Sequence, residues 1–313
     1  MKEKIYSLMG FDIQKFKLSL FKERYRDLNG VASVNKTSMM SDEAFFSLRD
    51  FIYNNCGIYI NESKKYLIEL RIINRLQANN LKSFDEYTYF LARNNNRKEL
   101  YELIDSITIN ETYFFRGLEQ FEALTKAIIP EIIKIKSEKN KTVRIWSAAC
   151  STGEEPYSIA IMINEYLKAE YPYVNFQILA SDINKSVLET AKRGEYFEYS
   201  VRNTPEEFLS KYFVFKSNLY YLRNDIKRMV KFSNINLYDS EQVRMVSGCD
   251  IIFCCNVLIY FDAVSRKKVL ADLYGIINNN GYLFVGESES LHGINKDFKL
   301  VHFPKAMVYK KEI

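Results

Sequence analysis

Apolar residues follow helical spacing in the first third of the chain, behind Ser41-Asp42-Glu43, a segment typical of a helix start. The spacing is carried by Phe45, Phe46, Leu48, Phe51 and Ile52. Further helices are predicted over residues 62–76, 87–91 and 100–107. We therefore expect residues 41–110 to form a small all-helical domain.

The second of these helices carries two contrasting sides. On a helical wheel, Tyr66, Leu70 and Ile73 fall on one side. The other side carries the cations Lys64, Arg71 and Arg75.

Beyond about residue 141 the pattern changes to strands that alternate with helices. Strands are predicted over 142–147, 176–180, 251–255 and 281–285, and helices over 155–167, 185–193 and 265–277. Such alternation predicts an α/β domain over residues 141–313, with a mostly parallel, doubly wound sheet. Residues 111–140 are expected to be an interdomain segment and the first helix of this domain.

Between residues 194 and 232 the alternation breaks. Short strands are predicted over 212–215, 219–222 and 229–232. We interpret them as an inserted antiparallel element.

Length and composition agree with two globular domains. The chain has 313 residues, of which 47% are hydrophobic and 27% charged. No apolar run reaches the ~18 residues of a membrane span, and no apolar signal core is present near the N-terminus. Five cysteines without the two-residue gap of a zinc site favour a reducing cytoplasm. The basic residues 1–40 are expected to be a flexible extension, or to result from an upstream start codon ahead of a true start at Met40.

Two further features narrow the chemistry. The net charge of +5 is well short of a compact nucleic-acid-binding domain, so an acidic protein partner explains it equally well. His292 and His302 are the only histidines. This scarcity argues against a His-rich metal site and against a histidine base.

Residues 147–158 join the first predicted strand to a helix through small residues. Ligands of open α/β sheets bind at the carboxyl ends of the strands. A dinucleotide site would need Gly-x-Gly-x-x-Gly for its pyrophosphate, but only Gly153 is present. Glu154 and Glu155 instead favour a positively charged cofactor without phosphate, such as S-adenosyl-L-methionine. An ordinary helix with an acidic first turn explains the same residues equally well.

Two later strand ends extend the candidate site. Asp182 ends the second predicted strand, where an acidic residue can bind ribose hydroxyls, although capping of the next helix is the alternative. Residues 254–261 lie where methyltransferases of this architecture place groups near the transferred methyl. They lack the Asn/Asp-Pro-Pro-Tyr signature of DNA-amine methyltransferases, which argues against a nucleic-acid substrate. Core packing is the alternative role for Tyr260 and the preferred one for Phe261.

Three segments resemble the CheR family, the chemotaxis receptor glutamate O-methyltransferases. They are Asn110-Glu-Thr-Tyr-Phe-Phe-Arg116, Ser147-Ala-Ala-Cys-Ser-Thr-Gly-Glu-Glu-Pro-Tyr-Ser158 and Asn256-Val-Leu-Ile-Tyr-Phe261. Shorter matches over 180–183, 232–237 and 286–290 follow in the family's order, and the resemblance runs from residue 41 to the C-terminus. Two positions depart from the family pattern: Cys255 replaces the usual arginine, and Cys150 replaces a small residue.

The resemblance implies a role for each matched position. Asn110, Thr112 and Arg116 would reach S-adenosyl-L-methionine from the interdomain segment. Glu155 would meet its methionine end and Asp182 its ribose. Further cofactor contacts would come from Asn236 and Leu237 at the adenine, and from Asn256 and Val257 near the sulfur.

The implied reaction is formation of γ-carboxyl methyl esters on glutamates of chemotaxis receptors during sensory adaptation. A glutamate side chain, with a pKa of about 4.3, is already a nucleophilic carboxylate at neutral pH and needs no general base. Arg116 is the first candidate to orient this carboxylate, through two parallel hydrogen bonds, and Tyr260 is the second. Lys64, Arg71 and Arg75 would bind the acidic receptor helix, with a solvated helix face as the alternative.

Two other functions compete with this interpretation. One is a methyltransferase of the same fold that acts on another protein, a small molecule or RNA, and the preceding helical domain argues against it. The other is a non-catalytic sensor of S-adenosyl-L-methionine, which the presence of Arg116 and Asp182 disfavours.

The insertion carries one further prediction. In the CheR family it can capture a receptor's C-terminal tail by extending its sheet, and members that need the tail tend to have a longer, glycine-containing loop there. Residues 213–222 are short and lack glycine, with Ser217-Asn218 as a tight turn. We therefore predict no dependence on a tail pentapeptide and docking mainly through the helical domain.

Overall fold

Residues 39–94, 97–136 and 141–312 are described by a computed structural model of the chain. From Met40 onward they belong to one unit. The predicted N-terminal extension lies almost entirely outside the described residues. Within them, no helix combines the length and the apolar character that crossing a membrane requires.

Four helices form the N-terminal domain: α1 Asp42–Cys56, α2 Lys65–Ala78, α3 Phe84–Asn94 and α4 Arg97–Ile107. The Ser41 hydroxyl caps α1 by accepting a hydrogen bond from the Ala44 N–H at 3.0 Å. Gly57, with a φ of +70°, ends this helix in the left-handed conformation. The predicted all-helical domain is confirmed, and a 3-10 turn, Glu62–Lys64, leads into α2.

The buried side of α2 differs from the helical-wheel interpretation. Its buried residues are Ile68, Ile72 and Leu76. Tyr66 and Leu70, which the wheel grouped with Ile73, are 59% and 55% exposed. The rotation follows from Arg75, which forms an ion pair at 2.6 Å with the buried Glu99 of α4. Nine residues are two and a half helical turns, so holding Arg75 inward turns Tyr66 outward.

The second domain contains all ten strands of the described residues: β1 Thr142–Ala148, β2 Asn175–Asp182, β3 Glu195–Tyr196, β4 Phe213–Lys216, β5 Leu219–Leu222, β6 Val230–Asn234, β7 Cys249–Cys254, β8 Ile277–Val285, β9 Phe298–Phe303 and β10 Ala306–Lys311. Seven form one sheet in the order β6-β2-β1-β7-β8-β10-β9. Neighbouring strands from β6 to β8 are parallel, and β10 pairs antiparallel with both β8 and β9. The predicted α/β class is confirmed.

Helices cover both faces of this sheet: α5 Leu118–Ala123, α6 Ile129–Ile135, α7 Glu154–Tyr166, α8 Lys185–Arg193, α9 Glu198–Val201, α10 Glu206–Tyr212, α11 Asn224–Lys227, α12 Ser240–Arg244 and α13 Ala263–Ile276. A π-helical turn, Leu124–Ile128, joins α5 to α6. Adjacent residues of a strand point to opposite faces. Accordingly, Ile145 belongs to one apolar core and Trp146 to the other.

The insertion is a three-stranded antiparallel sheet in the order β3-β5-β4. Ser217 and Asn218, with φ values of +52° and +61°, form the predicted tight turn between β4 and β5. The third predicted strand, 229–232, was wrongly placed in this element. It corresponds to β6, which pairs in parallel with β2 at the edge of the main sheet, with Val230 opposite Ile178.

Candidate active site

A cavity of about 530 Å³ lies where the helical domain meets the carboxyl ends of β1, β2, β7 and β8. Every predicted site residue except Arg75 lines it: Lys64, Arg71, Asn110, Thr112, Arg116, Glu155, Asp182, Asn236, Leu237, Asn256, Val257 and Tyr260. The fold therefore brings together side chains from both domains and from the loop of residues 110–117, here called the interdomain loop.

The first wall is the sharp turn between β1 and α7. Gly153 in this turn has a φ of +94°, and a Cβ there would lie 2.8 Å from the Ala191 Cβ of α8. Ser151 ties the turn to its surroundings. Its N–H donates to Asp182 Oδ2 at 2.8 Å, and its hydroxyl donates to the Asn110 carbonyl at 3.0 Å. This close packing places the start of α7 against the cavity.

Glu155, in the first turn of α7, is a half-buried carboxylate whose hydrogen-bonding neighbours are neutral. The Ser147 hydroxyl donates to Glu155 Oε1 at 2.6 Å, and the Cys255 thiol lies beside it. Burial raises the pKa of the Glu155 carboxyl to about 7, and the hydrogen bonds from Ser147 and Cys255 and the Arg116 charge offset only part of this shift. A carboxylate of this kind suits a ligand that brings its own positive charge.

Asp182 ends β2 and is also buried. Its two oxygens accept backbone hydrogen bonds from Ser151 at 2.8 Å and from Asn184 at 2.9 Å. Burial raises its pKa to about 6. Asn184 caps α8 by accepting from the Val187 N–H at 3.0 Å. The capping role considered for Asp182 thus belongs to Asn184, and each Asp182 oxygen retains lone pairs for further donors.

Asn236 joins the two domains as well as lining the cavity. Its Nδ2 donates to the Asn55 carbonyl at 2.7 Å, and its Oδ1 accepts from the Tyr238 N–H at 3.0 Å. One amide hydrogen is left for a ligand. The neighbouring Leu237 is buried and adds an apolar wall.

The segment after β7 is organised by Glu289, to which sequence reasoning gave no role. Glu289 Oε2 accepts hydrogen bonds from the Asn256 and Gly286 N–H groups at 2.7 and 2.8 Å. Its Oε1 accepts from Ile259 at 3.2 Å. This carboxylate holds Asn256 at a φ of +60° and supports the 3-10 turn Leu258–Tyr260. The motif at residues 286–290 was the available signal.

Arg116 and Tyr260 both line the cavity. Arg116 is exposed, and its Nη1 donates to the Glu111 carbonyl at 3.3 Å. The Tyr260 hydroxyl donates to the Ile109 carbonyl at 3.3 Å. Burial raises the Tyr260 pKa, while the charges of Arg116 and Arg71 lower it. Tyr260 therefore has a polar environment. Phe261 is buried in the core, the role that the sequence favours for it.

The structure corrects the predicted basic stripe at Arg75. Lys64 and Arg71 line the cavity, and Arg71 donates to the Ile107 carbonyl. Arg75 lies outside it and forms ion pairs with Glu99 at 2.6 Å and with Glu102 at 3.2 Å. Arg75 thus joins α2 to α4 inside the helical domain.

Known proteins match the chain over both domains. Residues 110–307 match the family described as CheR methyltransferase, SAM binding domain, and residues 43–108 match CheR methyltransferase, all-alpha domain. Chemotaxis protein methyltransferase 2 of Vibrio cholerae is 36% identical, covering 87% of this chain and 94% of that protein. A chemotaxis protein methyltransferase of Borreliella burgdorferi is 40% identical over 80% of this chain and 88% of its own length. One from Salmonella typhimurium is 32% identical over 83% and 88%.

Proposed function

The chain belongs to the CheR methyltransferase family, and from this premise we propose that its cavity esterifies glutamates of chemotaxis receptors. The enzyme is an S-adenosyl-L-methionine-dependent methyltransferase of chemotaxis, as predicted. The observation that carries the proposed site is that Arg116 and Tyr260 line the same cavity as the two carboxylates Glu155 and Asp182.

The two carboxylates suit the cofactor. We assign Glu155 to its ammonium group, because this half-buried carboxylate accepts hydrogen bonds from a hydroxyl and a thiol and forms no ion pair among those of the described residues. Asp182 would accept the ribose hydroxyls through its remaining lone pairs. When bound, S-adenosyl-L-methionine supplies an electrophilic methyl group on a positively charged sulfur.

Arg116 and Tyr260 suit the acceptor. The substrate carboxylate is ionised at neutral pH, so the protein has to orient it and exclude water. Arg116 makes one hydrogen bond through Nη1, which leaves its other N–H donors for a carboxylate. The Tyr260 hydroxyl lines the same cavity, and its single proton has to turn from the Ile109 carbonyl to the acceptor carboxylate for it to act as a second donor. Neither histidine lines the cavity, in agreement with a reaction that needs no base.

The docking surface would be the cavity side of α2 and of the 3-10 turn before it, where Lys64 and Arg71 supply positive charge. An acidic receptor helix laid across this side would bring its glutamate to Arg116. We place this encounter in the cytoplasm, where the receptors' methylation helices lie.

Substrate class can be tested by methyl transfer to a purified receptor cytoplasmic fragment. The label from S-adenosyl-L-methionine should enter a peptide of the methylation helices, and it should not enter RNA or a protein without such helices. Labelling of RNA in preference to the receptor fragment would favour the competing substrate class.

Affinity for the product S-adenosyl-L-homocysteine should depend on pH through Glu155. Binding an ammonium group favours the ionised carboxylate and so lowers the Glu155 pKa from its free value of about 7. The affinity for the product is therefore highest above pH 7, where Glu155 is ionised. As the pH drops below 7, the affinity decreases by up to about tenfold per pH unit. Calorimetry from pH 6 to 8.5 measures this slope. Glu155→Gln should bind weakly at every pH, without the slope, and a flat wild-type profile would contradict the assignment.

Docking should depend on Lys64 and Arg71 but not on Arg75. Lys64→Glu with Arg71→Glu should raise the KM for the receptor fragment by about tenfold, and the effect should shrink with salt because exposed charges are screened over about 10 Å at 0.1 M. Cofactor affinity should not change. Arg75→Glu should instead destabilise the fold by about 3 kcal/mol, since it breaks the ion pair with the buried Glu99 and places a second carboxylate beside it.

A matched control for docking is Lys126→Glu, which reverses an exposed lysine on the π-helical turn, outside the cavity lining. It should leave the receptor KM unchanged. An unaltered KM in the Lys64 and Arg71 variant would assign those side chains to solubility alone.

Independence from a receptor tail stays a prediction. The turn at Ser217 and Asn218 is as short as expected, although β4 is an edge strand with exposed Val214 and Phe215. Titration with a peptide that ends in the tail pentapeptide should show no saturable binding in the micromolar range. Saturable binding that maps to residues 212–232 would prove the prediction wrong.

A further inference from the structure

Arg116 is connected to the insertion by a closed circuit of side-chain contacts. Its Nη1 donates to the carbonyl of Glu111, whose carboxylate accepts a hydrogen bond from the Tyr199 hydroxyl at 2.9 Å. The Arg202 guanidinium lies 3.6 Å from the Tyr199 ring centroid and 3.9 Å from that of Tyr113. Tyr113 closes the circuit, because its ring centroid lies 5.6 Å from the Arg116 guanidinium.

The backbone beside this circuit is anchored in the same element. The Phe114 N–H donates to the Ser200 carbonyl at 2.9 Å. The Phe114 ring is fully buried and packs edge-on against Tyr196 of β3 and Phe213 of β4, with centroids 4.8 and 5.0 Å apart. The interdomain loop therefore rests on the insertion rather than only on the main sheet.

We propose that Tyr199 and Arg202 are positioning residues that hold Arg116 in the orientation that grips the acceptor carboxylate. The inference rests on the proposed role of Arg116. An exposed arginine has many rotamers, so holding it in place costs side-chain entropy. The circuit lowers that cost at the moment of binding, because Glu111 and Tyr113 already restrict the side chain.

The positive charge of Arg202 adds an electrostatic restraint on Arg116. Arg202 and Arg116 both contact the ring of Tyr113, and two like charges around one ring repel each other. Arg202 is fixed by its own stacking on Tyr199 and its hydrogen bond to the Tyr199 carbonyl. The repulsion therefore disfavours those orientations of Arg116 that approach Arg202.

This arrangement gives the insertion a part in methyl transfer that needs no peptide ligand. Its three strands form a platform from which residues 199–202 reach the interdomain loop. The inference differs from peptide capture, which would use the open edge of β4.

The test measures kcat, the KM for the receptor fragment and product affinity in Arg202→Met and Tyr199→Phe. Arg202→Met should lower kcat by about 10- to 100-fold, because small misplacements of a catalytic group are costly. Tyr199→Phe, which removes one hydroxyl, should lower kcat by a smaller factor. Affinity for S-adenosyl-L-homocysteine should stay within twofold in both. Arg202→Lys should be intermediate, since an ammonium cannot stack flat on two rings.

The matched control is Arg223→Met, which removes an exposed arginine of the same insertion that pairs with Asp225 and not with the interdomain loop. It should leave kcat unchanged. A double-mutant cycle adds a stricter criterion: in an Arg116→Lys background, Arg202→Met should cost less than about twofold, because both changes act on one contact.

Several results would overturn the inference. The first is a kcat of Arg202→Met equal to that of Arg223→Met. The second is a loss of product affinity in parallel with the loss of kcat. The third is that Arg202→Met lowers kcat in the Arg116→Lys background by as much as it does in the wild type. If Arg202→Met does not fold, the same three criteria are applied to Tyr199→Phe. An inactive wild type on receptor fragments would overturn the proposed function together with this inference, whereas active wild type with unaffected variants would overturn the inference alone.

Discussion

Replacing Arg116 by alanine should lower the rate of methyl transfer at saturating cofactor by about 100-fold or more. The guanidinium lines the cavity with free N–H donors, and its removal leaves the acceptor carboxylate without its main orienting contact. Single-turnover assays on a receptor fragment measure this directly. Product affinity, followed by calorimetry, separates a loss of chemistry from a loss of cofactor contact.

Two comparisons sharpen that experiment. Arg116→Lys keeps the charge but cannot make two parallel hydrogen bonds, so it should retain an intermediate rate. Arg93→Ala removes another exposed arginine that stacks on a tyrosine, at 4.4 Å from the Tyr89 centroid and outside the cavity lining. The rate of this variant should equal that of the wild type. Turnover of Arg116→Ala near the wild-type level would remove Arg116 from the reaction.

Glu289→Ala is expected to affect both stability and catalysis. The change leaves the N–H groups of Asn256, Ile259 and Gly286 without their acceptor. At about 1 kcal/mol or more for each unpaired group, unfolding should become easier by about 3 kcal/mol. Tyr260 is supported by the same segment, so kcat should fall by about 10- to 100-fold. Denaturant unfolding and receptor methylation report the two effects.

The control for Glu289 is Glu122→Ala, which removes a half-exposed glutamate of α5 that pairs only with Lys126 in the ion pairs of the described residues. Its stability should change by less than about 0.5 kcal/mol. Glu289→Gln should fall between alanine and wild type, because an amide oxygen still accepts hydrogen bonds. A Glu289→Ala variant as stable and active as the wild type would show that the segment holds its shape without this carboxylate.

Strand ends were the most predictable part of the site. Parallel strands bring their carboxyl ends to one edge of a sheet, so the positions of Glu155, Asp182 and Asn256 after three predicted strands already implied that they meet. The lining of one cavity by all three agrees with this reasoning. Local pattern was sufficient here because the geometry of a parallel sheet supplies the long-range information.

Pairing partners were not predictable in the same way. The pattern around Arg75 shows a cation on a polar helix side, but its partner Glu99 is 24 residues away on another helix. The pairing predicted for the strand at 229–232 was wrong for a similar reason. A short apolar run does not reveal whether the strand pairs with β2 or with the insertion. Glu289 acts on backbone N–H groups up to 33 residues away, and side-chain spacing carries no sign of such contacts.

The contacts around Arg116 include one part that the sequence predicts and one part that it does not. The interdomain loop was recognisable from its motif, whereas the contributions of Tyr199 and Arg202 depend on how the insertion folds back against it. Insertions break the strand-helix pattern, so their contacts with the rest of a domain are the least visible in sequence.

The most direct test of the central claim is the chemical nature of the bond that the enzyme makes. Purified protein is incubated with methyl-labelled S-adenosyl-L-methionine and a receptor cytoplasmic fragment, and the labelled fragment is then exposed to mild base. We expect the label to be released as methanol, and a fragment whose acceptor glutamates are replaced by glutamine to take up none. Label that survives base, or that enters the glutamine fragment equally, would contradict the claim.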